Sequence, residues 1–159
     1  MIRKYRPEDL EALKAITVIC FDGVSIDQNI EKNFGQFADT DWRARKAKHI
    51  DADVAANADG IFVWEEEGKV AAYITTRIDH ESKIGGIPNL AVLPEYQGKG
   101  IGKALMTAAF DYFEEQGMAV AKIETLDQNP VGQNFYPRSG FTAVAQQIHY
   151  AMPMKDRKV

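Results

Sequence analysis

Within about thirty residues, Asn89 to Gly117, the chain changes its local rules twice, and this limits the fold more than any other stretch. Leu90 to Leu93 are apolar and strand-like, Pro94 cannot continue a ladder, and Gly98, Gly100 and Gly102 stand at alternate positions. From Lys103 to Gln116 apolar residues then recur at helical spacing. A strand that turns through glycines into a helix leaves backbone N–H groups bare where the helix dipole is positive, so the turn suits a phosphate or pyrophosphate. The candidate seat is Gln97, Gly98, Lys99, Gly100, Ile101, Gly102 and Lys103, with both lysines adding positive charge.

Counting excludes two common phosphate loops. A dinucleotide fingerprint needs a third glycine where Lys103 stands. A Walker loop needs four residues between its glycines and a hydroxyl after the lysine, whereas Gly98 and Gly102 have three residues between them and Ala104 follows Lys103.

The rest of the chain frames this turn. At 159 residues it is long enough for one domain, residues 1–159, burying roughly two thirds of its unfolded surface, with Lys155 to Val159 expected to fray. No apolar run approaches the ~20 residues of a membrane span, and Met1 to Arg6 has no apolar leader region behind its basic residues, so a cytoplasmic chain without membrane contact is expected. Cys20, the only cysteine, has no internal disulfide partner and reads as a buried thiol among apolar neighbours. A net charge of -4 argues against a nucleic-acid binder and favours cationic substrates such as amines.

In chain order, Ile2 to Tyr5 alternates like a short strand, and Pro7-Glu8-Asp9 opens a helix that carries Leu10, Leu13, Ile16 or Thr17, and Cys20. Ser25 to about Ala58 is polar, with Ile26, Ile30, Phe34 and Phe37 spaced for one or two helices. Arg43, Arg45, Lys46 and Lys48 read as a solvated face, and His49 as a surface or packing histidine without partners at metal-ligand spacing. Ile61 to Trp64 and Val70 to Ile78 form a hairpin across the charged tip Glu65 to Lys69, and Ile84 to Val92 returns as a third antiparallel strand. Gly85, Gly86 and Pro88 weaken that strand, so it should be bulged or unpaired on one side.

The helix after the turn has a polar stripe, Lys103, Thr107, Asp111 and Glu115, opposite a buried side of Ile101, Leu105, Ala108 and Tyr112. Ala119 to Leu126 should follow as a strand parallel to its predecessor, and a crevice should open between the two. Asn129 caps a short helix with Pro130 at its first position, and Phe141 to Met152 alternates as a last strand with His149 near its end. Pro137 pushes the residue before it, Tyr136, away from helical geometry.

Gln97-Gly-Lys-Gly-Ile-Gly102, behind the strand Leu90-Ala-Val-Leu-Pro94, resembles the cofactor loop of the GCN5-related N-acetyltransferases. Glu124, Asn129 five residues on, Tyr136 seven further, then Gly140-Phe141, resembles that family's second signature. Together they cover about Ile87 to Phe141 in the right order and separation. The resemblance implies an α/β (α+β) fold with a mixed central sheet of six or seven strands, antiparallel at its N-terminal side, with a central parallel pair splayed at the cofactor site, and about four helices.

It also implies an acyltransferase that uses acetyl-coenzyme A without a metal, with a small-molecule or peptide amine as acceptor; a homodimer is common in the family. The loop would hold the pyrophosphate, Leu90, Ala91 and Val92 would pair with the pantetheine arm, and Asn129 would contact that arm or its water. Val92 N–H would polarise the thioester carbonyl. An alkylamine must shed a proton to attack, and a departing thiolate is helped by an acid. The resemblance gives Glu124 the first task and Tyr136 the second, with Tyr73 and Tyr96 as lesser candidates for the acid. Attack is expected to be direct, within a ternary complex. The alternative is a non-catalytic acyl-coenzyme A binding or sensing module that kept the loop and lost the chemistry.

Overall fold

A computed structural model describes residues 1–159. The elements are β1 (Ile2–Lys4), α1 (Leu10–Cys20), α2 (Ile26–Phe34), α3 (Trp42–Asn57), β2 (Phe62–Glu66), β3 (Lys69–Ile74), β4 (Arg77–Asp79), β5 (Ile84–Ile87), β6 (Leu90–Val92), α4 (Ile101–Glu115), β7 (Val120–Ile123) and α5 (Pro130–Arg138). The strands form a four-stranded antiparallel sheet, β1-β2-β3-β6, and a three-stranded sheet, β4-β5-β7, in which β5 and β7 run parallel.

Both long strands of the sequence reading are interrupted, and the interruptions divide one sheet into two. Val70 to Ile78 breaks at Thr75-Thr76, and Ile84 to Val92 breaks at Pro88-Asn89. Pro88 has no N–H to give to a ladder. At Asn89 the backbone is tied to the other break: Thr75 N–H donates to Asn89 O at 2.9 Å, and Asn89 N–H donates to Thr75 Oγ1 at 3.1 Å. β4 and β5, on one side of the two breaks, stay with β7, whereas β3 and β6, on the other side, pair with each other, and the sheet parts between them.

Two apolar layers sandwich the sheet. Ala72, Ile74 and Ile87 meet Ile101, Leu105, Met106, Ala109, Tyr112 and Phe113 of α4 on one face. Val63, Tyr73 and Ala91 meet Leu13 and Ile16 of α1 and Ile50 of α3 on the other. The period of two in β3 puts Ala72 and Ile74 on one side and Tyr73 on the other, and each fully buried aliphatic side chain contributes about 1.5–3 kcal/mol. Gly85 lies where a Cβ would meet the Phe113 ring at 2.6 Å, so only glycine lets α4 sit this close. The polar stripe of α4, Lys103, Thr107, Asp111 and Glu115, is exposed as expected; its buried side also takes Met106, Ala109 and Phe113, while Ala108 is only partly covered.

Three readings change. Lys46 is buried rather than solvated, its Nζ donating to Asn89 Oδ1 at 2.9 Å and lying 4.1 Å over the Phe21 ring. Tyr136 stays helical despite Pro137, because Pro137 falls in the last turn of α5, where Ser139 N–H still reaches Phe135 O and Phe141 N–H reaches Tyr136 O, both at 3.1 Å. Phe141 to Met152 is not a paired strand: from Thr142 to Met152 the chain is exposed and donates no backbone bond to any other element. A short turn at Met154–Asp156 follows.

Candidate active site

The parting of the sheet builds the site. Leu93 N–H donates to Ala71 O, and Thr75 N–H to Asn89 O, so Asn89, Ala91 and Leu93 face β3. By the two-residue alternation of an antiparallel ladder, the backbone N–H groups of Leu90 and Val92 point the other way, into the gap toward β7. The last paired row between β5 and β7 is Ile87 with Ile123, and beyond it Leu90–Val92 and Glu124–Leu126 have no ladder between them. Val92 O is occupied: Gln97 Nε2 donates to it at 3.0 Å and Cys20 Sγ at 3.3 Å. Burial pushes the Cys20 thiol up to about 11, so it is a protonated donor rather than a nucleophile.

At the mouth of the gap stands the glycine turn. Gly98 and Gly100 have φ of 76° and 82°, the left-handed region, with open space where a Cβ would point, so backbone conformation and not crowding selects glycine there. The first N–H that α4 satisfies is that of Ala104, bonded to Gly100 O at 3.0 Å, and the N–H groups from Gly98 to Lys103 have no acceptor in the chain. Bare donors in a run, a helix N-terminus, and Lys99 and Lys103 beside them make an anion seat. A Cβ on Gly102 would lie 3.5 Å from the Phe135 ring and 3.9 Å from Val92 Cγ2, which places the seat, β6 and α5 side by side.

α5 supplies the phenol. Asn129 caps the helix, accepting from Gly132 N–H at 3.3 Å and donating to Thr125 Oγ1 at 3.0 Å. A Cβ at Gly132 would meet Thr125 Oγ1 at 2.6 Å, Asn129 Nδ2 at 2.9 Å and Tyr136 Cε2 at 3.0 Å, so this glycine makes room for the side chains around it. The Tyr136 ring stands edge-on to Phe135 and Phe141, and burial pushes its hydroxyl up to about 12. Tyr73 is fully buried against Thr17, its hydroxyl 2.6 Å from Thr17 Oγ1, and Tyr96 lies under the Lys99 ammonium, so neither opens into the gap as a free acid.

Glu124 follows β7 on the α3 side of the sheet, opposite the face that Ala121 and Ile123 present to α4. It is mostly exposed and paired with Lys122 at 2.6 Å. Its one side-chain partner is Lys122, and no hydrogen bond joins it to Tyr136.

Sequence reasoning missed a buried polar cluster beside the parting. The Asp53 carboxylate, 2% exposed, accepts from Asn89 Nδ2 at 2.7 Å and Thr75 Oγ1 at 2.9 Å through one oxygen, and from Arg77 Nη2 at 2.7 Å through the other. Lys46 and His49 stand next to it, and burial lowers the affinity of both for a proton. Asp53, Arg77, Lys46 and His49 line a cleft of about 320 Å³ with Pro88 and Asn89. A second cleft of about 300 Å³ lies between α2 and the turn after β7, where Gln128 Nε2 donates to Gly23 O at 2.8 Å. The only signals in the sequence were polar residues inside a strand, Thr75, Thr76 and Asn89. No group of three or more His, Cys, Asp or Glu side chains could hold a metal ion, and no helix is long and apolar enough to cross a membrane.

A mixed sheet parted beside a glycine turn and a helix N-terminus is the frame of the site, and the family comparison gives its class. The model of the acetyltransferase (GNAT) family matches residues 26–141, and the chain belongs to that family. Among curated relatives, the mycothiol acetyltransferase of Streptomyces coelicolor is 30% identical over 91 residues, 57% of this chain and 29% of that protein. The chain thus spans less than a third of the length of that relative. An uncharacterized N-acetyltransferase of Archaeoglobus fulgidus is 32% identical over 88 residues, 52% of this chain and 60% of its own. Among solved structures, the PaiA N-acetyltransferase of Thermoplasma acidophilum in complex with coenzyme A superposes with TM-score 0.74 at 22% identity, over 92% of each chain. A GCN5-related N-acetyltransferase from Ralstonia eutropha superposes with TM-score 0.67 at 28% identity, over 95% of this chain and 97% of that one.

Proposed function

We propose that the protein, as one catalytic domain spanning residues 1–159, is an acetyl-coenzyme A dependent N-acetyltransferase acting on a primary amine by direct attack in a ternary complex. The observation that carries this is the continuity of unpaired backbone donors, from Leu90 and Val92 in the gap to the run Gly98–Lys103 at its mouth. An extended ligand with amides at one end and a pyrophosphate at the other satisfies both sets. Bound there, the cofactor supplies an acetyl group already activated as a thioester.

The side chains then divide the proton work. The phenol of Tyr136, with its pKa raised by burial, stays protonated at neutral pH and donates to the departing sulfur. Val92 N–H withdraws charge from the thioester carbonyl as the C–N bond forms and the C–S bond breaks. Glu124, open to solvent, takes the amine proton directly or through water. Asn129 keeps one Oδ1 lone pair and one Nδ2 proton beyond its bonds to Gly132 and Thr125, enough to meet the pantetheine arm while it fixes the start of α5. Positioning supplies most of the acceleration.

The test is thiol release from acetyl-coenzyme A with a panel of small amines, polyamines, amino acids, aminoglycosides and peptides, comparing the native chain with Tyr136→Phe. We expect turnover with at least one class, and a kcat loss of about 10²–10⁴ in the variant with KM for the thioester little changed. Coenzyme A binding with no thiol release from any amine would leave the non-catalytic module in its place.

A further inference from the structure

We infer that the amine acceptor also carries a carboxylate, and that the cleft between α3 and the broken edge of the sheet binds it through Lys46 and Arg77. The inference rests on the transferase reading for what the carboxylate is attached to; the site itself stands on the charges in the cleft.

Lys46 is the residue that asks for a ligand. It is 9% exposed, yet no carboxylate lies at ion-pair distance from it. Its Nζ donates to the neutral Asn89 Oδ1 at 2.9 Å, stands 4.1 Å over the Phe21 ring and is 3.5 Å from His49 Nδ1. A buried ammonium is ordinarily paired, because its desolvation is otherwise uncompensated. Arg3 shows the ordinary case in this chain, with the carboxylates of Asp9 and Glu65 at 2.8 and 2.6 Å. The two carboxylates that act on Lys46 through space are engaged elsewhere, Asp53 by Asn89, Thr75 and Arg77, and Asp27 by His49 Nε2 at 3.3 Å.

The cleft of about 320 Å³ gives an anion access to this ammonium. Arg77 commits only Nη2, to Asp53 at 2.7 Å, and keeps the rest of its half-exposed fork for a second contact. In the lining, Lys46 and Arg77 against Asp53 leave one positive charge over. That suits a carboxylate better than a phosphate group, which carries close to two negative charges at neutral pH.

Position ties the cleft to acetyl transfer. Asn89 lines it and immediately precedes Leu90, where the unpaired donors of the gap begin. Val92 N–H lies roughly 10 Å further along an extended strand. The amine and the carboxylate of the acceptor therefore stand several bonds apart, as in an ω-amino acid. The anion seat opens α4, which packs on one face of the sheet, whereas α3 packs on the other, so the carboxylate and the pyrophosphate do not compete.

The probes are γ-aminobutyrate, δ-aminovalerate and ε-aminocaproate, each against its own amide. They are used in calorimetric titration of the chain with and without coenzyme A, and in thiol release from acetyl-coenzyme A. At least one acid should bind about 10–100-fold more tightly than its amide, as hydrogen bonds to a charged group allow, and should show the same preference in KM. Lys46→Met should bring that acid down to the level of its amide, and Arg77→Gln, at a more exposed position, should narrow the preference even if the first variant does not fold. Acids and amides that bind alike to the native chain overturn the proposal. So does a preference that survives these substitutions, or a loss that strikes acid and amide equally, since Lys46 would then be structural only. Acid binding without thiol release from any amine would remove the transferase reading and leave the carboxylate site standing; thiol release with no preference for acids does the reverse.

Discussion

Replacing Asp53 by Asn tests what holds the sheet apart. The two side chains have nearly the same shape, but an amide presents a donor where one carboxylate oxygen accepted. Asp53 Oδ2 now receives Asn89 Nδ2 at 2.7 Å and Thr75 Oγ1 at 2.9 Å, and both donors are buried. Each hydrogen bond to a charged group is worth about 1.5–3 kcal/mol, and removing one partner of a buried ionic network costs about 3–5 kcal/mol. The contact with Arg77 adds little, because that guanidinium is 45% exposed and water replaces part of it. Lys46 also loses one of the two carboxylates, Asp27 and Asp53, whose charge favours its ammonium, which adds to the total. We therefore expect Asp53→Asn to lose about 4 kcal/mol in urea unfolding, or roughly 10 °C in Tm for a chain of this length. Because Thr75 and Asn89 sit at the two strand breaks, KM for acetyl-coenzyme A should rise as the gap loses its shape. A loss below about 1 kcal/mol, with KM unchanged, would show that the breaks are held by something other than this carboxylate.

Two further outcomes follow from other parts of the fold. Gly132→Ala adds a Cβ that meets Thr125, Asn129 and Tyr136 at 2.6–3.0 Å; overpacking of about 1–3 kcal/mol is partly offset by about 1 kcal/mol of helix propensity. Tm should fall only slightly while kcat falls markedly as the phenol is displaced, and unchanged kcat would show that Tyr136 is not held by this contact. Arg3 donates to Asp9 through Nη1 at 2.8 Å and Nη2 at 2.9 Å, and these bonds hold the Asp9 carboxyl below its ordinary range against the opposing effect of burial. A depressed folded-state pKa stabilises above the unfolded value near ~3.9 and ceases to do so as pH falls below it. The native chain should lead Asp9→Asn by a constant margin from pH 7 to about 4 and lose that lead in more acid solution; parallel acid-unfolding curves would refute this.

How much of this was legible in the sequence depends on how far apart the deciding residues lie. The turn at Gly98–Gly102 is local, set by backbone conformation and helix polarity within a few residues, and it was readable. So was α5, whose cap at Asn129 and proline at 130 need no distant partner. The parting of the sheet was half visible: Pro88 announced one break, but Thr75 and Thr76 have high strand propensity and gave no sign of the other. Asp53 and Lys46 sat in a segment whose charges cancel, and their burial depends on Asn89, which is 36 residues from Asp53. The alternation of Phe141 to Met152 was plain, but an alternating pattern fixes no partner, and the structure leaves the segment unpaired.

The most direct measurement is an amide chemical-shift titration of the labelled chain with coenzyme A. The account predicts that Gly98 to Lys103 move together with Leu90 and Val92 at one affinity, since a single extended ligand takes both sets of bare donors. Shifts confined to other residues, or an unaltered spectrum at saturating coenzyme A, would contradict it.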